Sequence, residues 1–435
     1  MKRIIALMVA MMMLFTLTSC GSASDSTTEI KTLEQDGAAG SPTATVAADF
    51  DPYARETFKI GVVFIGTGDE ITRQQRYYSE YLAPRYNCEF VFSETCSTTD
   101  AVMTFIENCA DMGCQAIICY YNYDCEQLTQ KCGEYGMYFV QNTNRNESTE
   151  STFTGGYENF SGTFGADQTG TGALFSDFLR ENLKADEDHG FLVCTGWAYL
   201  GNEQHVKIST AIFESIVEAY GLTLENDIST YVSSSSPMEV VNDKGIEIYA
   251  YPDIYTTDGW LQGFASCLQT GKYDYVLSSI PTYANCGVII DEIEQSYDMD
   301  ITQACLGQLG DALVAAFETQ DIFGNSSLDM STVKFNTLVA SMPFIQVYNC
   351  LTGYQNCLQD EEGEMTGFTF VMCGATTVDQ IHTMTTWDMD NDTWVANYDF
   401  VDSCLGVYNE GLTAADIQEN INSMNYDTIL ASFDK

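Results

Sequence analysis

Positive charge is scarce in this chain. Its 435 residues carry 17 Lys and Arg against 62 Asp and Glu, a formal net charge of −45. Such a surface repels nucleic acid and anionic lipid head groups, so neither is an expected partner. Only three histidines occur, none in a carboxylate–histidine motif, so no metal and no histidine-based catalytic centre is expected. The 16 cysteines include no C-x-x-C pair, which removes the usual zinc and redox spacings. Neither G-x-S-x-G nor H-E-x-x-H is present, so the signatures of a serine hydrolase and a zinc protease are missing. Glycoside cleavage by paired carboxylates stays open as a rival, because an acidic chain supplies many carboxylates and the sequence singles out no pair.

What is present points to a packed, exported protein. Apolar residues make up 45% and aromatic residues 12%, enough for a large core. The length suits two lobes. Lys2-Arg3 precedes an apolar run over 4–17 that is too short to span a bilayer, and LTSCGS follows. This stretch looks like a bacterial lipobox, with 1–19 removed and Cys20 acylated as the mature N-terminus. Residues 20–56 are rich in Ser, Thr, Ala, Gly and Asp, without periodicity, and read as a flexible tether. The other fifteen cysteines fall mostly inside apolar patterns. They read as small buried hydrophobes in an organism living without oxygen, and any bridges among them cannot be assigned from sequence.

From residue 57 the pattern alternates. KIGVVFIG, CEFVFSE, CQAIICYY and MYFVQN read as strands, separated by helix-like segments over 70–86, 100–112 and 124–135. Strands and helices of these lengths predict right-handed βαβ units on a parallel sheet. A polar break over 143–162 is followed by a second series. It comprises a helix over 171–183, the strand GFLVCTG, a helix over 203–220, the strand ISTYVS, an insertion at 233–245 and the strand YDYVLSSI. Further on, VKFNTLVAS reads as a strand and 344–359 as a helix. KIGVVFIGTGDE poses a separate question, since a glycine turn after a strand can cradle phosphate. Here the third glycine of G-x-G-x-x-G is missing, and Asp69 and Glu70 would oppose a phosphate, so the turn is read as the mouth of a solute cleft.

Several stretches occur in an order that resembles the type I solute-binding proteins, the sugar-receiving components of bacterial ABC importers. They are KIGVVFIG, FIENCADMGCQAIICYYNYD, KCGEYGMYFVQNTNR, GTFGADQTGTGALFSDFL and LQTGKYDYVLSSIPTYANCGVIIDEI. The resemblance covers about 57–381. It implies an α/β fold of two doubly wound parallel-sheet lobes joined by a hinge of about three strands, with ligand enclosed between them. On this basis 57–162 is the N-terminal lobe, 163–308 the C-terminal lobe and 309–359 a return to the first. Residues 360–435 are then expected to pack on the C-terminal lobe.

In open parallel sheets ligands sit beyond the carboxyl ends of the strands, which selects the candidate ligand-binding residues. After the first strand these are Thr67, Asp69 and Glu70, without the Asn-Pro-aromatic often found in the family. After the third come Tyr121, Asn122 and Asp124, beside Tyr120 and Tyr123. After the fourth come Asn142, Asn144 and Arg145. In the second lobe Trp197, Tyr199 and His205 follow GFLVCTG. Asp258 and Trp260 precede a helix that they are placed to cap. Thr282, Tyr283 and Gln308 lie where the family carries acidic residues that this chain lacks. Aromatic faces stack on sugar C–H faces, while carboxylates and amides pair with hydroxyls.

DMDNDTWVANYD spaces Asp388, Asp390 and Asp392 as in a calcium loop, but its sixth position is Thr393 rather than Gly. A β-hairpin between Trp387 and Trp394 is the preferred reading there. The expected function is a lipid-tethered receptor on the extracytoplasmic face of a bacterial, Gram-positive membrane. It binds a small polar solute, a sugar, without catalysis or cofactor and delivers it to ABC permease subunits. A sensory lipoprotein signalling to a membrane kinase is the alternative.

Overall fold

The computed structural model describes residues 50–143, 156–183, 189–389 and 393–433. The lipobox, Cys20 and most of the tether lie outside them. No helix among the described residues is long and apolar enough to cross a membrane.

The first sheet holds six strands: β1 Phe58–Phe64, β2 Cys88–Thr95, β3 Ala116–Cys119, β4 Tyr138–Asn142, β5 Phe160–Ala166 and β12 Gly367–Phe370. Their spatial order is β12-β5-β4-β3-β1-β2, and every pairing is parallel. Central strands covered by helices on both faces must be apolar throughout. Accordingly Ile60, Val62, Val63, Ile117 and Ile118 are fully buried. Gly61 has no side chain because the Thr99–Asp111 helix packs against it, and a Cβ there would meet Cys109 Sγ at 2.6 Å.

The second sheet contains β6 Phe191–Gly196, β7 Met238–Glu239, β8 Ile248–Pro252, β9 Tyr275–Ser278, β10 Thr302–Leu306, β11 Met330–Val333 and β13 Cys373–Ala375. Their order is β13-β11-β10-β9-β6-β8-β7, with antiparallel pairing only at the two edges. Five adjacent strands of each sheet therefore share one order, β2-β1-β3-β4-β5 and β8-β6-β9-β10-β11. Each sheet has its topological switch beside its first strand, between β1 and β3 and between β6 and β9.

Three connections join the sheets: β5 into the Gln168–Asn182 helix, β11 into the Asn336–Leu351 helix, and β12 into β13. Two are pinned together, since Asp167 N donates to Phe370 O at 2.8 Å. Asp167 also caps the helix that opens the second lobe, accepting from Gly170 N at 2.9 Å.

Several expected boundaries move. Strand β5, assigned partly to the second lobe, belongs to the first sheet, and β11 belongs to the second, so the chain returns to the first lobe only after Val333. VKFNTLVAS is strand only at its beginning. Its continuation is helix, and residues 336–350 are all buried because this helix lies under the first sheet with apolar neighbours all round. ISTYVS is the short helix Ile228–Val232.

The C-terminal segment does not rest on the second lobe alone. Tyr81 and Tyr398 stack at 3.9 Å, Tyr77 hydroxyl donates to Ala396 O at 2.6 Å, and Arg85 pairs with Asp402 at 2.9 Å. The tyrosine-rich face of the first-lobe helix Asp69–Arg76 and its continuation through Tyr86 is what this segment covers. Its first helix, Val378–Met389, reaches the second lobe through His382 and Glu318 at 2.8 Å. In place of the expected hairpin between Trp387 and Trp394, residues 387–389 close this helix, and Asp390 and Asp392 lie outside the described residues.

All fifteen cysteines from Cys88 to Cys404 are free thiols, and only Cys267 is more than marginally accessible. Burial pushes Cys350 up to about 12 and Cys305 up to about 11, which suppresses the reactive thiolate. A thiol titration of the native protein should therefore register about one fast group, Cys267, and the others only after denaturation. Several fast thiols in the folded protein would contradict this packing.

Candidate functional site

The loops leaving the carboxyl ends of β1, β3, β6, β9 and β10 gather the polar side chains. Glu70, in the first turn of the Asp69–Arg76 helix, is half-buried and pairs with Lys334 Nζ at 2.6 Å. Lys334 lies on the β11 connection between the lobes. The negative charge of Glu70 also acts on Tyr120 in the first lobe and on Tyr283 in the second, where burial is the main cause pushing the Tyr283 phenol up to about 12. Glu70 thus ties the first lobe to the connection between the lobes. Thr67 and Asp69 are exposed on the same turn. Gly68 there has φ 138°, which favours glycine.

The loop after β3 is held from beneath. Gln141 Nε2 donates to Tyr121 O and Tyr123 O, both at 2.8 Å. Above this clamp Tyr121 and Tyr123 lie 5.2 Å apart, and Asn122 is half-buried between them in sequence. Tyr121 hydroxyl and the Asp124 carboxylate both meet Thr99 Oγ1, tying together two helix starts. Tyr120 turns inward, stacked on Phe64 at 5.1 Å with its hydroxyl 3.0 Å from that of Tyr78, and is core. Asn142, at the end of β4, is half-buried. Asn144 and Arg145 lie outside the described residues.

In the second lobe three donors converge on one acceptor that sequence reasoning missed. Asp253 Oδ1 accepts from Trp197 Nε1 at 3.1 Å, Tyr199 hydroxyl at 3.2 Å and Thr257 Oγ1 at 3.2 Å. Asp253 adopts φ 72°, a left-handed conformation that aspartate tolerates better than most residues. His205 lies behind this loop. It is buried, and its Nδ1 accepts from Trp197 N at 2.8 Å. Burial pulls its pKa down to about 4, so it is neutral and supports the loop. Thr282 is fully buried and accepts from Gln303 Nε2 at 2.9 Å. It too acts from behind, while its neighbour Tyr283 reaches toward Gln308 O and Gln308 itself is exposed. The helix Trp260–Leu268 begins at Gly259 without a side-chain cap, so Asp258 does not cap it. Trp260 is core, its Nε1 donating to Pro252 O at 2.8 Å.

The structure therefore brings Glu70 together with Lys334, and Tyr283 toward Gln308. It groups Tyr121, Asn122 and Asp124 on one loop, and Trp197 with Tyr199 on another. His205 and Thr282 are set behind, and Asp258 stays apart on the surface. Lys334 carried a signal in the sequence: after Lys272 it is the sole Lys or Arg before the terminal Lys435. A shallow depression of about 660 Å³ near Lys244, Glu247 and Lys272 lies beyond the amino ends of β6 and β8, and contains none of these groups.

These loops offer carboxylate and amide acceptors beside flat aromatic faces, arranged around two topological switches. That chemistry suits a neutral, hydroxyl-rich molecule. Neither a family model nor a curated protein matches the chain. Solved structures do. An ABC transporter periplasmic solute-binding protein from Actinobacillus succinogenes, with bound D-allose, superposes with a TM-score of 0.52 at 10% identity, covering 75% of this chain and all of that one. An ABC transporter solute-binding protein from Clostridium phytofermentans, with bound β-D-glucose, gives 0.51 at 13% identity, covering 77% and 98%. The substrate-binding protein of a sugar ABC transport system from Bordetella parapertussis gives 0.50 at 13% identity, covering 78% and 96%. The chain has the type I solute-binding-protein fold. In a solute-binding-protein fold the gathered loops are the facing edges of two lobes, and the three connections are the hinge about which the lobes move.

Proposed function

We propose that the protein is a lipid-anchored extracytoplasmic receptor that encloses a small polar solute, a sugar, between its lobes and hands it to an ABC permease, without catalysing a reaction. The observation that carries this reading is the ion pair of Glu70, on the loop after β1 of the first lobe, with Lys334 on the connection between the lobes, at the strand ends where ligands of open parallel sheets lie. A molecule held there touches the first lobe and the connection between the lobes. Carboxylates accept hydrogen bonds from sugar hydroxyls, and Tyr121, Tyr123, Trp197 and Tyr199 offer stacking faces. Transport rather than sensing is supported by the ABC-transporter descriptions of the structural neighbours. Membrane attachment rests on LTSCGS and Cys20.

A thermal-shift screen of monosaccharides, inositols, short oligosaccharides, nucleosides and amino acids tests the reading. Only the folded state binds, so a sugar at roughly a hundred times its Kd should stabilise the protein by about 2.7 kcal/mol and raise Tm. No shift with any sugar, or shifts confined to amino acids or nucleosides, would overturn it.

A further inference from the structure

At the end of the second lobe away from the cleft, three carboxylates meet. Glu294 lies in the last turns of the Tyr283–Tyr297 helix, Asp300 in the turn leading into β10, and Asp321 just after the Asp311–Glu318 helix. One oxygen from each lies within 4.8 Å of the other two. Two ligand oxygens held on opposite sides of one Ca²⁺ at roughly 2.4 Å would be about 4.8 Å apart, so the three fit around a single ion.

The hydrogen bonds divide each of these carboxylates into a committed and an open oxygen. Glu294 Oε1 accepts from Ile301 N at 3.0 Å. Asp300 Oδ2 accepts from Asn325 Nδ2 at 2.9 Å. Asp321 Oδ1 accepts from Phe323 N and Asn325 N, at 2.7 and 2.9 Å. The decisive group is Glu294. Its residue is 1% exposed, and its Oε2 is buried without a hydrogen-bond partner among the described residues. A carboxylate oxygen withdrawn from water with no donor costs free energy unless something positive reaches it.

We propose that Glu294, Asp300 and Asp321 bind one calcium ion. Hard oxygen donors without nitrogen or sulfur select Ca²⁺ or Mg²⁺ over softer metals, and a site drawn from three separate segments tolerates the looser geometry of Ca²⁺. The site lies where two helix–strand connections of the second lobe meet. The ion would therefore clamp β10 and β11 to their helices and stabilise that lobe, without entering the cleft.

The test is the melting temperature of the purified protein at pH 7.5 in about 150 mM NaCl, where salt screens diffuse attraction to the acidic surface. EGTA-treated protein is compared with protein in about 5 mM CaCl₂ or MgCl₂. Calcium should raise Tm by roughly 2 °C or more, and magnesium by less. Glu294→Gln and Asp300→Asn should each lose at least half of the calcium-induced rise. Should Glu294→Gln fail to fold, the exposed Asp300 carries the test. No rise in the wild type, an equal rise with magnesium, or an undiminished rise in Asp300→Asn would overturn the proposal.

Discussion

Alanine in place of Asp388 should lower the stability of the protein by about 2 kcal/mol or more, the cost of leaving buried donors without their acceptor. Asp388 is fully buried at the end of the Val378–Met389 helix. Its Oδ2 accepts from Asn336 Nδ2 at 2.6 Å, and Thr337 N approaches Oδ1 at 3.5 Å. The guanidinium of Arg73, itself 2% exposed, acts on it electrostatically, lies 4.2 Å over the Trp394 ring and donates to Thr393 O. Truncation removes the acceptor that holds the start of the central helix. Urea unfolding of Asp388→Ala against wild type measures the loss, and a change below about 1 kcal/mol would contradict it. Asp388→Asn should cost much less, because burial already pushes the carboxyl up to about 6.

The same shift sets a pH dependence. A carboxyl whose folded pKa lies above its unfolded value near 3.8 takes up its proton first in the native state. Its contribution is therefore fully present below about pH 4 and is lost as pH rises through about 6. Through this group the wild type gains roughly 1 kcal/mol at pH 5 relative to pH 7. The alanine variant should lack that increment.

Much of the architecture was legible because the strands that matter are short apolar runs between helical periods. β1, β3 and β6 could hardly have been anything else, and the loops beyond their carboxyl ends carry Glu70, Tyr121 and Trp197 as expected from the strand pattern. What escaped notice was set by burial and by distance along the chain. His205 and Thr282 have the right residue types at the right loops, yet they face backward, and nothing in a linear pattern distinguishes the two faces of a turn. The Asn336–Leu351 helix is buried all round, so no polar face alternates with an apolar stripe to betray its period. Tyr81 and Tyr398 are stacked across 317 positions, a separation at which sequence gives no cue to pairing. Asp388 belonged to a calcium-like spacing in the sequence, and in the fold it is an internal partner of Asn336 and Thr337.

Lys334→Met should weaken binding of the stabilising sugar by roughly thirtyfold, about 2 kcal/mol, while leaving the fold intact. Its ammonium is 2.6 Å from Glu70 Oε1, and the two side chains are 28% and 19% exposed. That partial exposure puts the effect at the low end of the range for buried charge pairs. Gln74 Nε2 lies 3.4 Å from Glu70 and 3.5 Å from Asn336 Oδ1, so Glu70 is positioned from its own helix and from the hinge at once. Without Lys334 the carboxylate loses its neutralising partner and its anchor, and its hydroxyl-accepting geometry loosens. Calorimetric titration giving less than a threefold change would remove Lys334 from the site.

The central claim is that one solute is held by both lobes. Isothermal titration of the sugar found by thermal shift, onto wild type, Glu70→Gln and Tyr283→Ala, tests it most directly. These substitutions remove one contact from each lobe, and each should reduce affinity by about tenfold or more at unchanged one-to-one stoichiometry. Full affinity in either variant would mean that the sugar is bound by one lobe alone, and the account of enclosure between the two would be wrong.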